Sequence, residues 1–423
     1  MEDNYQGMKF NGTFRGDDPA RFNACVGDNG SPSYREYADG FADAAIILID
    51  KAIDTLDVDD QIYPICFNMR HSVELRLKHQ IERLKLIRPE ISLSDFDSAG
   101  SHDIGNIWEY FKAKSQLFDR RFEEVVGEID SYIKDIAEVD PTGQTFRYPL
   151  SNESVKHLVD VAVINVVRLK DRFTILRERL ECLHRLTGRL ITEYQQGTYT
   201  KNLSREDIKA IAERLPVFEE WKLESFKIIK AEIKAEYKIG SAELCASINL
   251  IRSHREFAPM IGVQISLIEC DFDDLSIFFQ CLEIINPLEN YLDKPRIVAF
   301  DKEMFDDIME NMELDQENDL LAIIACKEEI KLDSLIEIFA LYEFGRYLNY
   351  SEYFETIYKG ELQSKPLYEA HDRELDTAII HYASKTNAYK HIVKSLKFLN
   401  QYEIVAKLDE LFNLSEYFDF VVD

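Results

Sequence analysis

Apolar side chains recur between Ser151 and Gly197 in alternating steps of four and three residues: Val155, Val159, Ala162, Val166, Leu169, Phe173, Leu176, Leu180, Leu183 and Leu190. Thr187 interrupts the series and Tyr194 closes it. Steps of four and three keep one edge of a helix turned toward a partner, turn after turn. Ser151 or Asn152 can cap the start, Glu153 suits the positive end of the dipole, and Gly197 can take the left-handed stop. At 1.5 Å per residue the rod spans roughly 65 Å. Such a rod is either the spine of a helical bundle or the seam of a dimer, and an all-α fold follows from either.

The chain around it has 423 residues, 46% apolar, with few glycines and prolines. That length suggests two or three domains and ample core. The formal charge of −28 is unevenly spread. Residues 261–423 carry 14 Lys and Arg against 34 Asp and Glu, whereas residues 151–260 carry 19 against 16. The acidic half would repel a polynucleotide. It reads as a solvating surface, a dock for a basic partner protein, or an acidic mimic of nucleic acid. Seven scattered cysteines without a CxxC favour a reducing compartment, the cytoplasm. No run of eighteen apolar residues predicts a membrane span.

Residues 1–35 read as an irregular segment, 36–197 as a helical bundle, 198–260 as a helical connector and 261–423 as an acidic helical domain. Helices are expected over Ala38–Leu56, from Pro64 to before Pro89, over Ile104–Ser115 and Phe118–Ala137, and then along the rod. Ser204 to Asp207 has capping-box spacing and starts a helix ending at Leu215; another covers Glu219–Lys238. Residues 240–300 look less regular, with Arg296–Phe300 readable as one strand or a buried helix end. Short helices follow over Lys302–Met312, Asp315–Lys327, Leu332–Tyr347, Ser351–Gly360, Leu367–Ser384, Tyr389–Leu399 and Tyr402–Leu411. Tyr342, Tyr347, Tyr350 and Tyr353 fall near a helix–helix turn, as core packing or as a peptide groove.

The most singular local run is Met69 to Lys78. On a helix Arg70, Glu74 and Lys78 are successive i,i+4 neighbours, with His71 beside them. They make a salt-bridged flank or a ligand site. Glu74 completes no HExxH, so no metal is expected. A second concentration of charge lies on the rod, where Arg168, Arg172 and Arg179 fall within about 40° of one another. That stripe is a solvated flank or a phosphate contact.

The run Phe67–Leu84 (FNMRHSVELRLKHQIERL), then His102-Asp103-Ile104, then Phe146-Arg147-Tyr148-Pro149, resembles the HEPN superfamily over roughly residues 36–196. The resemblance implies a small all-helical domain that binds RNA or a nucleotide, pairs as a homodimer, and needs neither cofactor nor metal. It further implies a prokaryotic defence or toxin–antitoxin setting. Ribonuclease members carry an Arg, usually a polar residue, and a His four to six residues beyond the Arg. Here Arg177, Glu178 and His184 match with six between; Arg179 and His184 have four between but point about 140° apart. On this pattern His184 is the general acid or base on the ribose hydroxyl and leaving oxygen, and Arg177 stabilises phosphate charge. Arg70, His71, Glu74, Lys78, Arg147, Arg168, Arg172 and Arg179 become the candidate RNA or nucleotide contacts. Other members of the superfamily are non-catalytic. A helical interaction or sensor protein that dimerises and binds a protein through its acidic half is therefore the competing reading.

Overall fold

The computed structural model describes residues 11–93, 96–97, 100–150, 156–291 and 317–419. Among these the secondary structure is helical, α with a few short 3₁₀ turns, and without a strand; one isolated bridge joins Leu150 and Lys156. No described helix is long and apolar enough to cross a membrane. The chain divides into two compact units, Met1–Gln195 and Gln196–Asp423.

Among the described residues five α-helices build the first unit: α1 (Tyr34–Thr55), α2 (Ile62–Ile87), α3 (Ile104–Phe118), α4 (Phe122–Val139) and α5 (Val166–Gln195). Ser33 and Glu36 form a capping box that starts α1, and Asp103 caps α3 through the Asn106 N–H at 2.9 Å. The expected rod is shorter than its seam suggested. Helix α5 begins at Val166, not Ser151, and its 30 residues span about 45 Å. Residues 156–165 are irregular; Val159 is 74% and Val163 90% exposed, and Ala162 is also exposed. Position 155 lies outside the described residues. Two causes fit. The upstream run is rich in β-branched residues, which lose rotamer freedom in a helix. Asn165 also supplies the cap, its Oδ1 accepting from the Arg168 N–H at 2.9 Å.

From Val166 onward the seam behaves as its spacing requires. Val166, Phe173, Leu176, Leu180, Leu183, Leu190 and Tyr194 are buried. Thr187, the apparent interruption, is buried too, and its hydroxyl donates to Gln80 Oε1 and the Leu183 carbonyl, each at 2.8 Å. Both margins of the seam are zipped by ion pairs. Toward α1 the pairs are Lys170–Asp50, Arg177–Asp43 (2.8 Å) and Glu181–Arg35 (3.4 Å). Toward α4 they are Arg172–Asp135, Arg179–Glu128 (3.2 Å) and Glu193–Arg121 (2.7 Å). Residue numbers rise on α5 as they fall on its neighbours, so α5 runs antiparallel to both. Each buried Leu or Phe contributes about 1.5–3 kcal/mol, against about 0–1 kcal/mol for an exposed ion pair. The apolar edge therefore drives packing, and the pairs set register.

The second unit contains α6 (Arg205–Arg214), α7 (Glu224–Tyr237), α8 (Ser241–Ser253), α9 (Phe272–Ile285) and α10, described over 317–329. It continues with α11 (Leu332–Arg346), α12 (Glu352–Glu361), α13 (Lys365–Ala370), α14 (Asp372–Ala383), α15 (Ala388–Phe398), α16 (Tyr402–Phe412) and α17 (Leu414–Tyr417). Two apolar cores fill it, one between Leu203 and Ile261 and a larger one between Leu267 and Phe418. The Ser204–Asp207 capping box opens α6. Residues 240–285 are more regular than the sequence suggests. Helix α9 (FDDLSIFFQCLEII) is apolar on nearly every face and so shows little periodicity. The expected helix over Glu219–Lys238 is instead a 3₁₀ turn (Phe218–Lys222) and α7, separated by an extended Leu223. His371, also extended, divides Leu367–Ser384 into α13 and α14. Arg296–Phe300 and Lys302–Met312 lie outside the described residues. Tyr342 is buried in the larger core, whereas Tyr347 is exposed.

Candidate functional site

Helix α2 carries two polar clusters on different faces. The first contains the Arg70–Glu74–Lys78 series. All three side chains are buried. Glu74 accepts from Arg70 and from Lys78 Nζ (2.8 Å), and its Oε1 lies 3.0 Å from His102 Nδ1. Arg70 spends its remaining donors on the carbonyls of His102, Pro141 (2.7 Å) and Asp140 (3.2 Å). Burial alone would raise the Glu74 carboxyl, but Lys78, Arg70 and His102 together hold it below the usual range. Gly143, at φ +77°, closes the turn: a Cβ there would sit 3.0 Å from the Arg70 guanidinium. The cluster thus latches the chain on either side of α3 and α4 to α2. His71 stacks on Phe67 at 5.6 Å and meets Phe41 edge-on, and burial pushes its imidazole down. Arg147 lies over the rings of Phe67 and Tyr148.

The second cluster faces α1 and α5. Arg76, His79, Gln80 and Arg83 occupy positions i, i+3, i+4 and i+7 of α2, so they share one face. Arg35 reaches in from α1, and Glu181 and His184 from α5. Arg76 bridges Asp39 and Glu181 (3.0 Å), while Arg35 reaches Glu181 and donates to His184 Nε2. Both ring nitrogens face N–H donors, Arg35 at Nε2 and the Gln80 Nε2 amide 3.3 Å from Nδ1, and a neutral ring can accept from only one of them. His79 stacks on His184 with ring centroids 5.6 Å apart.

Burial, then Arg35 and Arg83, push the half-exposed His184 imidazole down to about 4. His79 is lowered by burial, then by Arg83, Arg35 and Arg76. Arg83 has no carboxylate partner among the described residues, and its Nε and His79 Nε2 are buried without a hydrogen bond. Arg35 and Arg76 are already paired with Asp39 and Glu181, and Glu36 partly offsets the arginines at His79, which leaves Arg83 as the guanidinium without a carboxylate among the described residues.

The remaining sequence-derived candidates fall elsewhere. Arg177 is bound to Asp43, Glu178 is exposed, and Arg172 and Arg179 are bound to α4. Arg168 is exposed at the start of α5. His184 is therefore joined to Arg35, with Arg83 close by; Arg177 makes its bond to α1 instead. The i, i+3, i+4, i+7 spacing on α2 was the available signal for Arg76, His79 and Arg83, whereas nothing in the sequence ties Arg35 to His184, 149 positions away. Among the described residues no group of three or more His, Cys, Asp or Glu could hold a metal ion. No protein-family model, curated protein or solved structure matches this chain.

Proposed function

We propose that the N-terminal unit is a HEPN-like module that binds the phosphate of an RNA or nucleotide at the His184 cluster. The observation that carries this reading is Arg83: a half-buried guanidinium without an acid partner among the described residues, beside an imidazole kept neutral by burial and neighbouring arginines. A phosphate would give Arg83 the acid partner it lacks among the described residues, beside the unbonded His79 nitrogen. His184 would have to release the Arg35 donor from Nε2 before that nitrogen could take a proton from a ribose hydroxyl, and RNA cleavage is the reaction to assay. The resemblance adds a homodimer and a defence or toxin–antitoxin setting.

The test is anisotropy of a short labelled RNA, and of a labelled nucleotide, with wild type, Arg83→Ala, His184→Ala and Arg177→Ala. Arg83→Ala is expected to weaken binding about tenfold, the worth of one charge-assisted contact, and Arg177→Ala by much less. Binding that ignores Arg83→Ala removes the proposed site, and RNA cleavage that survives His184→Ala removes the proposed base. One observation favours a second reading, a helical interaction protein: Arg172, Arg177 and Arg179 all serve the packing of α5. Absence of any RNA or nucleotide binding by the folded chain would leave that reading.

A further inference from the structure

A cavity of about 550 Å³ opens between α2, α4, the turn at Phe146 and the start of α5. That volume lies within the roughly 300–1,000 Å³ typical of small-molecule sites. Its floor is Met69, Phe173 and Leu176, all buried, and Ile136, Val139 and Ile164 form walls. Such surfaces offer water too few partners to hold it, and they favour a hydrocarbon. Arg70 also lines the space, but its guanidinium is committed to Glu74 and to three backbone carbonyls.

Apart from Arg70, whose charge Glu74 meets, the charged lining residues are Arg168, Arg172 and Asp135. Arg172 is paired there with Asp135 and lies 4.0 Å over the Tyr132 ring. Arg168, exposed at the mouth, has no acid partner among the described residues. Among the described residues the rim thus carries one uncompensated positive charge above an apolar floor, in a chain whose formal charge is −28. We propose that this cavity binds an amphiphilic monoanion, an unbranched carboxylate whose tail fills the floor and whose head meets Arg168. The site is separate from the His184 cluster, and its failure would leave the phosphate reading untouched.

Calorimetric titration of the full chain with decanoate, decanol and decyltrimethylammonium tests it. Decanoate is expected to bind one per chain, at least about tenfold tighter than the alcohol, with the cation weakest; Arg168→Glu should cost decanoate about tenfold. Ile164→Trp, which fills the wall, should abolish binding while circular dichroism shows the helices intact. The proposal is overturned if folded wild type gives no decanoate heat, if decanol binds as tightly, or if Arg168→Glu changes nothing. It is equally overturned if sedimentation shows the cavity closed in a dimer that Ile164→Trp dissociates.

Discussion

Helices α5 and α11 are the spines of their two units, and they are built in opposite ways. One edge of α5 is apolar and both margins are charged, so its outer side tolerates water. Residues 334–342 of α11 are all buried, as are Phe344 and Gly345, so almost no side of it faces solvent. Its buried Ser334, Glu337 and Tyr342 consequently find their hydrogen-bond partners inside the protein. Glu337, 0% exposed, accepts the backbone N–H groups of Ile268 (2.7 Å), Glu269 (2.6 Å) and Cys270 (2.7 Å). Gly345 lies against α15 so closely that a Cβ would collide with the His391 carbonyl, and His391 Nδ1 sits 2.8 Å from the Gly345 carbonyl. The lesson is that a spine with one apolar edge leaves its remaining surface to charge, whereas a fully enclosed spine serves packing.

That contrast should appear in stability. Glu337→Ala strands three backbone donors in the core and is expected to cost about 3–5 kcal/mol in urea unfolding. An unchanged midpoint would mean α11 is not enclosed. Gly345→Ala should cost about 2–3 kcal/mol by forcing α11 from α15, with the loss confined to the second unit. On α5, a double-mutant cycle for Asp43→Ala and Arg177→Ala should give a coupling of only about 0.2–1 kcal/mol, falling with salt. A coupling as large as the α11 effects would abolish the distinction between the spines.

The same contrast explains what could be read in advance. From Val166 on, the inward edge of α5 follows from its spacing, because one-sided burial leaves a period in the sequence. Its start does not, since Val159 and Ala162 fit the period but meet no partner surface. The ends of α11 are legible from flanking polar residues, but which side packs on what is not, because enclosure erases the period. At the site, His184 is legible as a candidate and its arginine is not. The i,i+7 rule selects Arg177, yet α1 is close enough to supply both an acid for Arg177 and Arg35 for the imidazole. The Arg70–Glu74–Lys78 series is legible as an ion-paired run, and its burial depends on the carbonyls of residues 102, 140 and 141, which no local pattern announces.

The central proposal is that His184, held neutral among arginines, lies beside a phosphate-binding site. Its folded-state titration lies below the ordinary 6.5, so its contribution to stability is complete above that pH and is lost as pH falls toward about 4. The most direct measurement is an NMR titration of the His184 ring, assigned by comparison with His184→Gln, in wild type with and without AMP. The expected result is a midpoint near 4 in the free protein that moves upward when AMP's phosphate binds, with no such movement in Arg83→Ala. A midpoint near 6.5 that AMP leaves in place would contradict the account.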